Sequence, residues 1–186
     1  AAKPPAAIPA EIIDLEKLGA QAENQRLATN ISELDRVLGG GLMSGSLILL
    51  GGEPGIGKST LVAQTADAIG RQSQVIYVSG EESAGQIKAR LDRLGVKSGQ
   101  IKFLNETNVE KIIATLKELK PALVIIDSIQ TINSSTIAGE AGNLNQIRGS
   151  AVNFLETAKT NNIAIILIGH ITKDGSLEGP KSLEHI

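Results

Sequence analysis

Gly51-Gly52-Glu53-Pro54-Gly55-Ile56-Gly57-Lys58-Ser59-Thr60 follows the apolar run Leu47-Ile48-Leu49-Leu50 and precedes a helical pattern from Leu61 to Ile69. Gly52, Gly57, Lys58 and Ser59 fit the spacing G-x-x-x-x-G-K-[ST], in the strand-then-helix setting that gives the motif its meaning. Backbone N–H groups can wrap a polyphosphate only where the chain bends tightly, which glycine permits and a side chain obstructs. The spacing therefore predicts a nucleoside triphosphate cradle built from Gly52, Glu53, Pro54, Gly55, Ile56, Gly57, Lys58, Ser59 and Thr60. Lys58 is expected to reach the β and γ phosphates, Ser59 to hold Mg²⁺ through its hydroxyl, and the helix N-terminus to add partial positive charge. Thr60 is expected to border the α-phosphate side. The competing reading is a glycine-rich turn that binds nothing, and it gives the lysine and serine no reason to stand where they do. The loop alone leaves open whether phosphate passes to water, to a small molecule or nowhere.

Further along, Ala122-Leu123-Val124-Ile125-Ile126-Asp127-Ser128 is an apolar strand that delivers one aspartate at its C-terminal end. This is the pattern of a Walker B strand, in which Asp127 accepts hydrogen bonds from Mg²⁺-bound waters and pairs with the Ser59 contact; an aspartate capping the next turn is the alternative. Val75-Ile76-Tyr77-Val78 is a second buried strand, ending in Ser79-Gly80-Glu81-Glu82-Ser83. In an open parallel sheet the C-terminal strand ends line the ligand crevice. Glu81 or Glu82 is thus placed to activate a water against the γ-phosphate. Glu81, nearer the strand, is the first choice and Glu82 can share the task, especially since Ser128 leaves no acid directly after Asp127. Both glutamates can instead complement the dipole of the helix carrying Ala84, Ile87, Leu91 and Leu94. Ile163 to Gly169 is the last buried strand and ends in His170, expected to face the same crevice, sense the γ-phosphate and inform the loop Thr172 to Pro180; a purely structural histidine is the alternative.

Outward from these anchors, unbroken apolar strands alternate with helical stripes, which predicts an α/β fold with a mostly parallel central sheet and helices on both faces. Ile101 to Leu104 reads as a strand toward the sheet edge. Val109, Ile112, Ile113, Leu116 and Leu119 keep helical spacing, as do Leu144, Ile147, Ala151, Phe154 and Ala158. Ser32 is expected to cap a short helix bearing Leu34, Val37 and Leu38, closed by Gly39-Gly40-Gly41. Gln130 to Asn145 is polar and small, so it reads as a long mobile loop with a functional purpose. Arg148 opposes the dipole near its helix start and suits either a phosphate contact or a solvated surface.

At 186 residues with 41% hydrophobic content, the chain suits one domain: residues 1–25 as an arm or linker, holding three of the six prolines, and 26–186 as the folded domain. Beginning at such a linker, the chain reads as a piece of a longer protein. Eighteen basic and twenty acidic residues give net charge -2, so any nucleic-acid contact is expected to be local. No cysteine is present, which excludes disulfides and thiolate metal sites. No apolar run approaches the roughly twenty residues that span a membrane, so no membrane partner is expected; the lack of cysteine fits the expected cytoplasmic location. Phe103, Phe154 and Tyr77 are the only aromatics of the Phe, Tyr and Trp class, and all sit in apolar segments where core packing is the expected role.

Four separated segments together resemble the RecA-like ATPase domain of the bacterial RadA family, also called Sms. They are Thr29 to Asp35 with Gly39-Gly40-Gly41, the glycine cradle, Tyr77 to Ser83, and Ile168-Gly169-His170-Ile171-Thr172-Lys173-Asp174-Gly175-Ser176. The likeness runs from about Arg26 to the end. It implies a RecA-like P-loop NTPase that acts in recombination and DNA repair, is stimulated by DNA, and uses ATP/ADP with Mg²⁺. In the full-length protein it implies a homo-hexamer with ATP sites at subunit borders, moving on or loading single-stranded DNA at recombination intermediates, beside a recombinase and other repair proteins. By the same resemblance Lys58, Ser59 and Thr60 bind nucleotide, Asp127 serves Mg²⁺, Glu81 or Glu82 is the base, and residues 130–145 and 172–180 face DNA. The family's four-cysteine zinc finger and its C-terminal domain resembling Lon protease lie outside this sequence, as does a Lys-Asn-Arg-Phe-Gly motif, so the chain is expected to bind nucleotide while hydrolysing poorly. Two other classes share features with it: a RecA-like signalling ATPase of the circadian-clock type has the Glu-Glu pair, and a small-molecule kinase has only the cradle.

Overall fold

The computed structural model of the chain describes Asp14, residues 26–96 and residues 99–170. The rest of the expected arm 1–25 and the expected loop 172–180 lie outside the described residues. Among the described residues the elements run β1 (Arg26–Leu27), α1 (Ser32–Val37) and β2 (Leu42–Met43), then β3 (Leu47–Gly52), α2 (Lys58–Gly70), β4 (Val75–Ser79) and α3 (Ala84–Arg93). They continue with β5 (Ile101–Leu104), α4 (Val109–Leu119), β6 (Leu123–Asp127), a 3-10 turn at Ile129–Thr131, α5 (Leu144–Asn161) and β7 (Ala164–His170).

The five longer strands pair in parallel in the order β3-β7-β6-β4-β5, and β1 and β2 form a separate antiparallel pair. This is the α/β, RecA-like P-loop NTPase architecture expected from the sequence, with β5 at the edge. Side chains alternate faces along a strand, and this parity sorts the core into two layers. Ile76, Val78, Val124, Ile126, Ile165 and Leu167 pack under α4 and α5, against Ile112, Leu116, Ile147 and Phe154. Val75, Tyr77, Leu123, Ile125, Ile166 and Ile168 pack under α2 and α3, against Val62, Ala66, Ile87 and Leu91. Helices thus cover both faces, which is why the strands read as continuous apolar runs.

Two local expectations are corrected. Ser32 does not cap α1: the cap position is Ile31, with no side-chain cap bond. The loop before α1 is held instead by Asp35, whose Oδ1 accepts from the Thr29 N–H at 2.9 Å and the Thr29 hydroxyl at 2.8 Å. The segment from Gln130 to Asn145 is not an unsupported loop. Ile129, Ile132 and Ser134 are buried, and Asn133 bridges to Asn108. The Gln146 amide, only 1% exposed, accepts from the Ser134 N–H at 2.8 Å and donates to the carbonyls of Ser134, Ile137 and Gly139. The Ser134 hydroxyl in turn donates to Glu110 of α4, which holds that carboxyl below its ordinary range. Polar groups from Ser134 to Gly139 bond to one another and to Gln146, while residues 138–143 stay exposed.

Candidate nucleotide site

Four strands deliver the candidate residues to one edge. β3 ends in Gly52, β4 in Ser79 just before Glu81 and Glu82, β6 in Asp127 and β7 in His170. Register places Gly52 opposite His170 and Ser79 opposite Asp127. All of these are C-terminal ends of parallel strands, the side on which open α/β sheets bind ligands.

Between Gly52 and Lys58 the backbone folds into an open cup. Gly57, at the N-cap of α2, has φ +104°, a left-handed conformation that a β-carbon would strain. Glu53, Pro54, Gly55, Ile56 and Gly57 are exposed, as is Thr60 in the first turn of α2. Lys58 is buried, and its ammonium donates to the carbonyls of Gly52 at 2.7 Å and Glu53 at 2.9 Å. The cation is therefore held over the loop and can exchange these carbonyls for phosphate oxygens.

Ser59, the next residue, donates its hydroxyl to Asp127 Oδ2 at 3.4 Å across 68 residues of sequence. A hydroxyl and a carboxylate converging at a helix N-terminus are hard oxygen donors suited to Mg²⁺, which takes only one or two protein ligands and completes its shell with phosphates and water. Among the described residues no cluster of three His, Cys, Asp or Glu side chains forms, so a self-contained protein cage is not the type of metal site on offer. Ser59 and Asp127 are the residues that would hold the ion.

The two glutamates are separated by their partners. Glu81 is exposed and accepts from the Ser128 hydroxyl at 3.1 Å. Glu82 is ion-paired to Arg90 of α3 at 2.5 Å. Neither lies in the first turn of α3, which begins after a capping box of Ser83 and Gln86, and the backbone N–H groups of both donate to the Ser79 hydroxyl. His170 is partly buried beside Gly52; its Nδ1 makes no hydrogen bond among the described residues, and its carbonyl accepts weakly from Gln130 Nε2 at 3.4 Å. Arg148 is exposed on α5.

Two residues that sequence reasoning passed over join this edge. Tyr77 was expected only to pack, and its ring is indeed fully buried, but its hydroxyl donates to Asp127 Oδ2 at 2.5 Å. Arg90 donates to the Tyr77 oxygen at 2.9 Å, lies 3.6 Å from Asp127 Oδ2, and sits 5.9 Å from the centre of the Tyr77 ring. Burial, reinforced by the Asp127 carboxylate, pushes the Tyr77 phenol far above its ordinary range, so it remains a donor. Burial alone would pull the Arg90 guanidinium down, but Tyr77, Glu82 and Asp127 outweigh it and hold the cation charged. Both residues left signals. Tyr77 shares strand parity with the residue paired two positions before Asp127, so it is a diagonal neighbour within aromatic reach. Arg90 falls at helical spacing between Ile87, Leu91 and Leu94, a charge inside a sheet-facing stripe.

A family profile described as AAA domain matches residues 14–176. DNA repair protein RadA of Streptococcus pyogenes serotype M6 is 50% identical to this chain over 161 residues, which is 87% of the chain and 36% of that relative. DNA repair protein RadA of Bacillus subtilis is 45% identical over 166 residues, 89% of the chain and 36% of the relative. The protein of the same name from Haemophilus influenzae is 46% identical over 176 residues, 95% and 38% respectively. The chain thus spans little more than a third of the length of these curated relatives.

Proposed function

The chain belongs to the AAA domain family, and from that premise we propose that residues 26–186 form a RecA-like ATPase domain acting in DNA repair and recombination. It binds ATP or ADP with Mg²⁺ and couples hydrolysis to single-stranded DNA binding and branch migration at recombination intermediates. The observation that carries the nucleotide reading is the approach of the Ser59 hydroxyl to the Asp127 carboxylate at 3.4 Å beside the Lys58 ammonium. The repair role rests on the 45–50% identity to proteins named DNA repair protein RadA.

In this reading, residues 52–60 receive the phosphates and Lys58 transfers its hydrogen bonds from the Gly52 and Glu53 carbonyls to the β and γ groups. Mg²⁺, when bound, neutralises charge on the leaving phosphates. Glu81 takes the proton of a water attacking the γ-phosphorus as the bond to the ADP oxygen breaks. His170 reports the γ-phosphate to the segment 172–180, which with 130–145 faces DNA. The protein acts in the cytoplasm as a homo-hexamer with recombinase and other repair partners.

ATP turnover by a full-length protein containing this domain, with and without single-stranded DNA, tests this. Turnover is expected to rise several-fold with DNA, and Lys58→Ala is expected to abolish it by removing the β/γ contact. Indifference to DNA would move the reading to a signalling ATPase. Normal turnover in Lys58→Ala would remove the cradle from the chemistry altogether.

A further inference from the structure

Four groups outside the glycine cup form one connected polar frame behind the candidate magnesium site. Arg90 Nη1 pairs with Glu82 at 2.5 Å, Arg90 Nη2 donates to the Tyr77 oxygen at 2.9 Å, and Tyr77 donates to Asp127 Oδ2 at 2.5 Å. The direction of each bond is set by chemistry, because a guanidinium can only donate; the single Tyr77 proton therefore goes to Asp127. The Tyr77 bond, the Ser59 bond and the Arg90 approach all converge on the same carboxylate oxygen, Oδ2. The frame is sheltered, with the Arg90 side chain 16% and the Asp127 side chain 11% exposed.

We infer that Tyr77 and Arg90 are positioning residues for Asp127: they fix the plane of its carboxylate toward Mg²⁺, and Glu82 serves as the anchor of Arg90 while Glu81 is left to act on water. This deepens the nucleotide reading above and rests on it. Partners that orient a metal-binding carboxylate typically change metal affinity by about 10–100-fold when removed. Tyr77→Phe deletes the one O–H while keeping the buried ring. Arg90→Gln deletes the cation and Arg90→Lys keeps charge without the fork.

The experiment is binding of a fluorescent ADP analogue followed as Mg²⁺ is titrated, with melting temperature recorded for each variant. Tyr77→Phe and Arg90→Gln are expected to raise the Mg²⁺ midpoint about tenfold or more, while metal-free nucleotide affinity stays at the wild-type value. Arg90→Lys is expected to fall between. A purely structural role would instead lower melting temperature and weaken metal-free and metal-loaded binding equally, and that result overturns the inference. So do Mg²⁺ midpoints within about twofold of wild type. Should Arg90→Gln fail to fold, Tyr77→Phe and Arg90→Lys decide. A wild-type protein that binds no nucleotide at any Mg²⁺ concentration overturns the underlying nucleotide reading, an outcome distinct from unmoved midpoints in variants that do bind.

Discussion

Glu81 and Glu82 are adjacent in sequence and chemically identical, yet their partners give them different capacities. A base must be free to approach water and accept its proton. Glu82 is tied to a guanidinium, whereas Glu81 is exposed and meets only a neutral hydroxyl. Glu81→Gln is therefore expected to leave ATP binding intact and lower turnover by about 10²–10⁴-fold. At saturating Mg²⁺, Glu82→Gln is expected to bind ATP equally well and lose less turnover, through the loosened Arg90. Single-turnover phosphate release from each variant measures this, and equal losses would deny the division of roles. The cup and Asp127 were legible in sequence because each is a local pattern: consecutive residues whose spacing dictates one backbone shape. The Tyr77–Arg90 frame was not, because it joins residues from β4, α3 and β6 whose individual settings read as core or helix surface. Only strand register and helix phase, taken together, bring them to one carboxylate.

At the scale of elements, the strands were readable from their unbroken apolar runs, since burial on both faces leaves no room for alternation. The segment between β6 and α5 is more internally bonded than its polar composition suggests, and the reason is physical. Polar residues supply both solvated loops and internally bonded ones, and composition cannot tell where the donors go. Here Gln146 supplies the answer, and Ile137 reinforces it by crossing α5 at Gly149, where a β-carbon would stand 2.2 Å from Ile137 Cδ1. Gln146→Ala would strand the Ser134 N–H and the carbonyls of Ile137 and Gly139, while the Ser134 carbonyl keeps the Ile137 N–H. With buried unsatisfied groups costing about 1–3 kcal/mol each and some relaxation to water, a loss of about 3 kcal/mol is expected. For a domain of this size that corresponds to a fall in melting temperature of roughly 10 °C. Amides of residues 134–139 are expected to exchange faster as well. A melting temperature within about 2 °C of wild type would show that the segment is held by something other than this amide.

For the whole molecule, net charge and aromatic placement jointly constrain how DNA can be held. The chain carries net charge -2 and only three residues of the Phe, Tyr and Trp class. Tyr77 and Phe154 are fully buried, and Phe103 packs against the core layer under α2 and α3. Only Phe103 keeps any exposed ring surface, and it is half-buried, so base stacking, which otherwise contributes about 1–3 kcal/mol per base, has little to rest on. The single-stranded DNA contact proposed above would then fall to phosphates met by a few lysines, arginines and backbone amides. Such binding follows counterion release, with log K falling against log salt at about −0.7 per phosphate neutralised. Anisotropy of a labelled oligonucleotide is the suitable probe, since the chain has no tryptophan to quench. Oligo-dT and a mixed sequence of equal length are expected to bind within about twofold of one another. Both are expected to weaken together as salt rises from about 50 to 200 mM. Affinity that persists through this range, or a strong preference for purines, would require a stacking surface, which two buried rings and the half-buried Phe103 do not readily supply, and would overturn this reading.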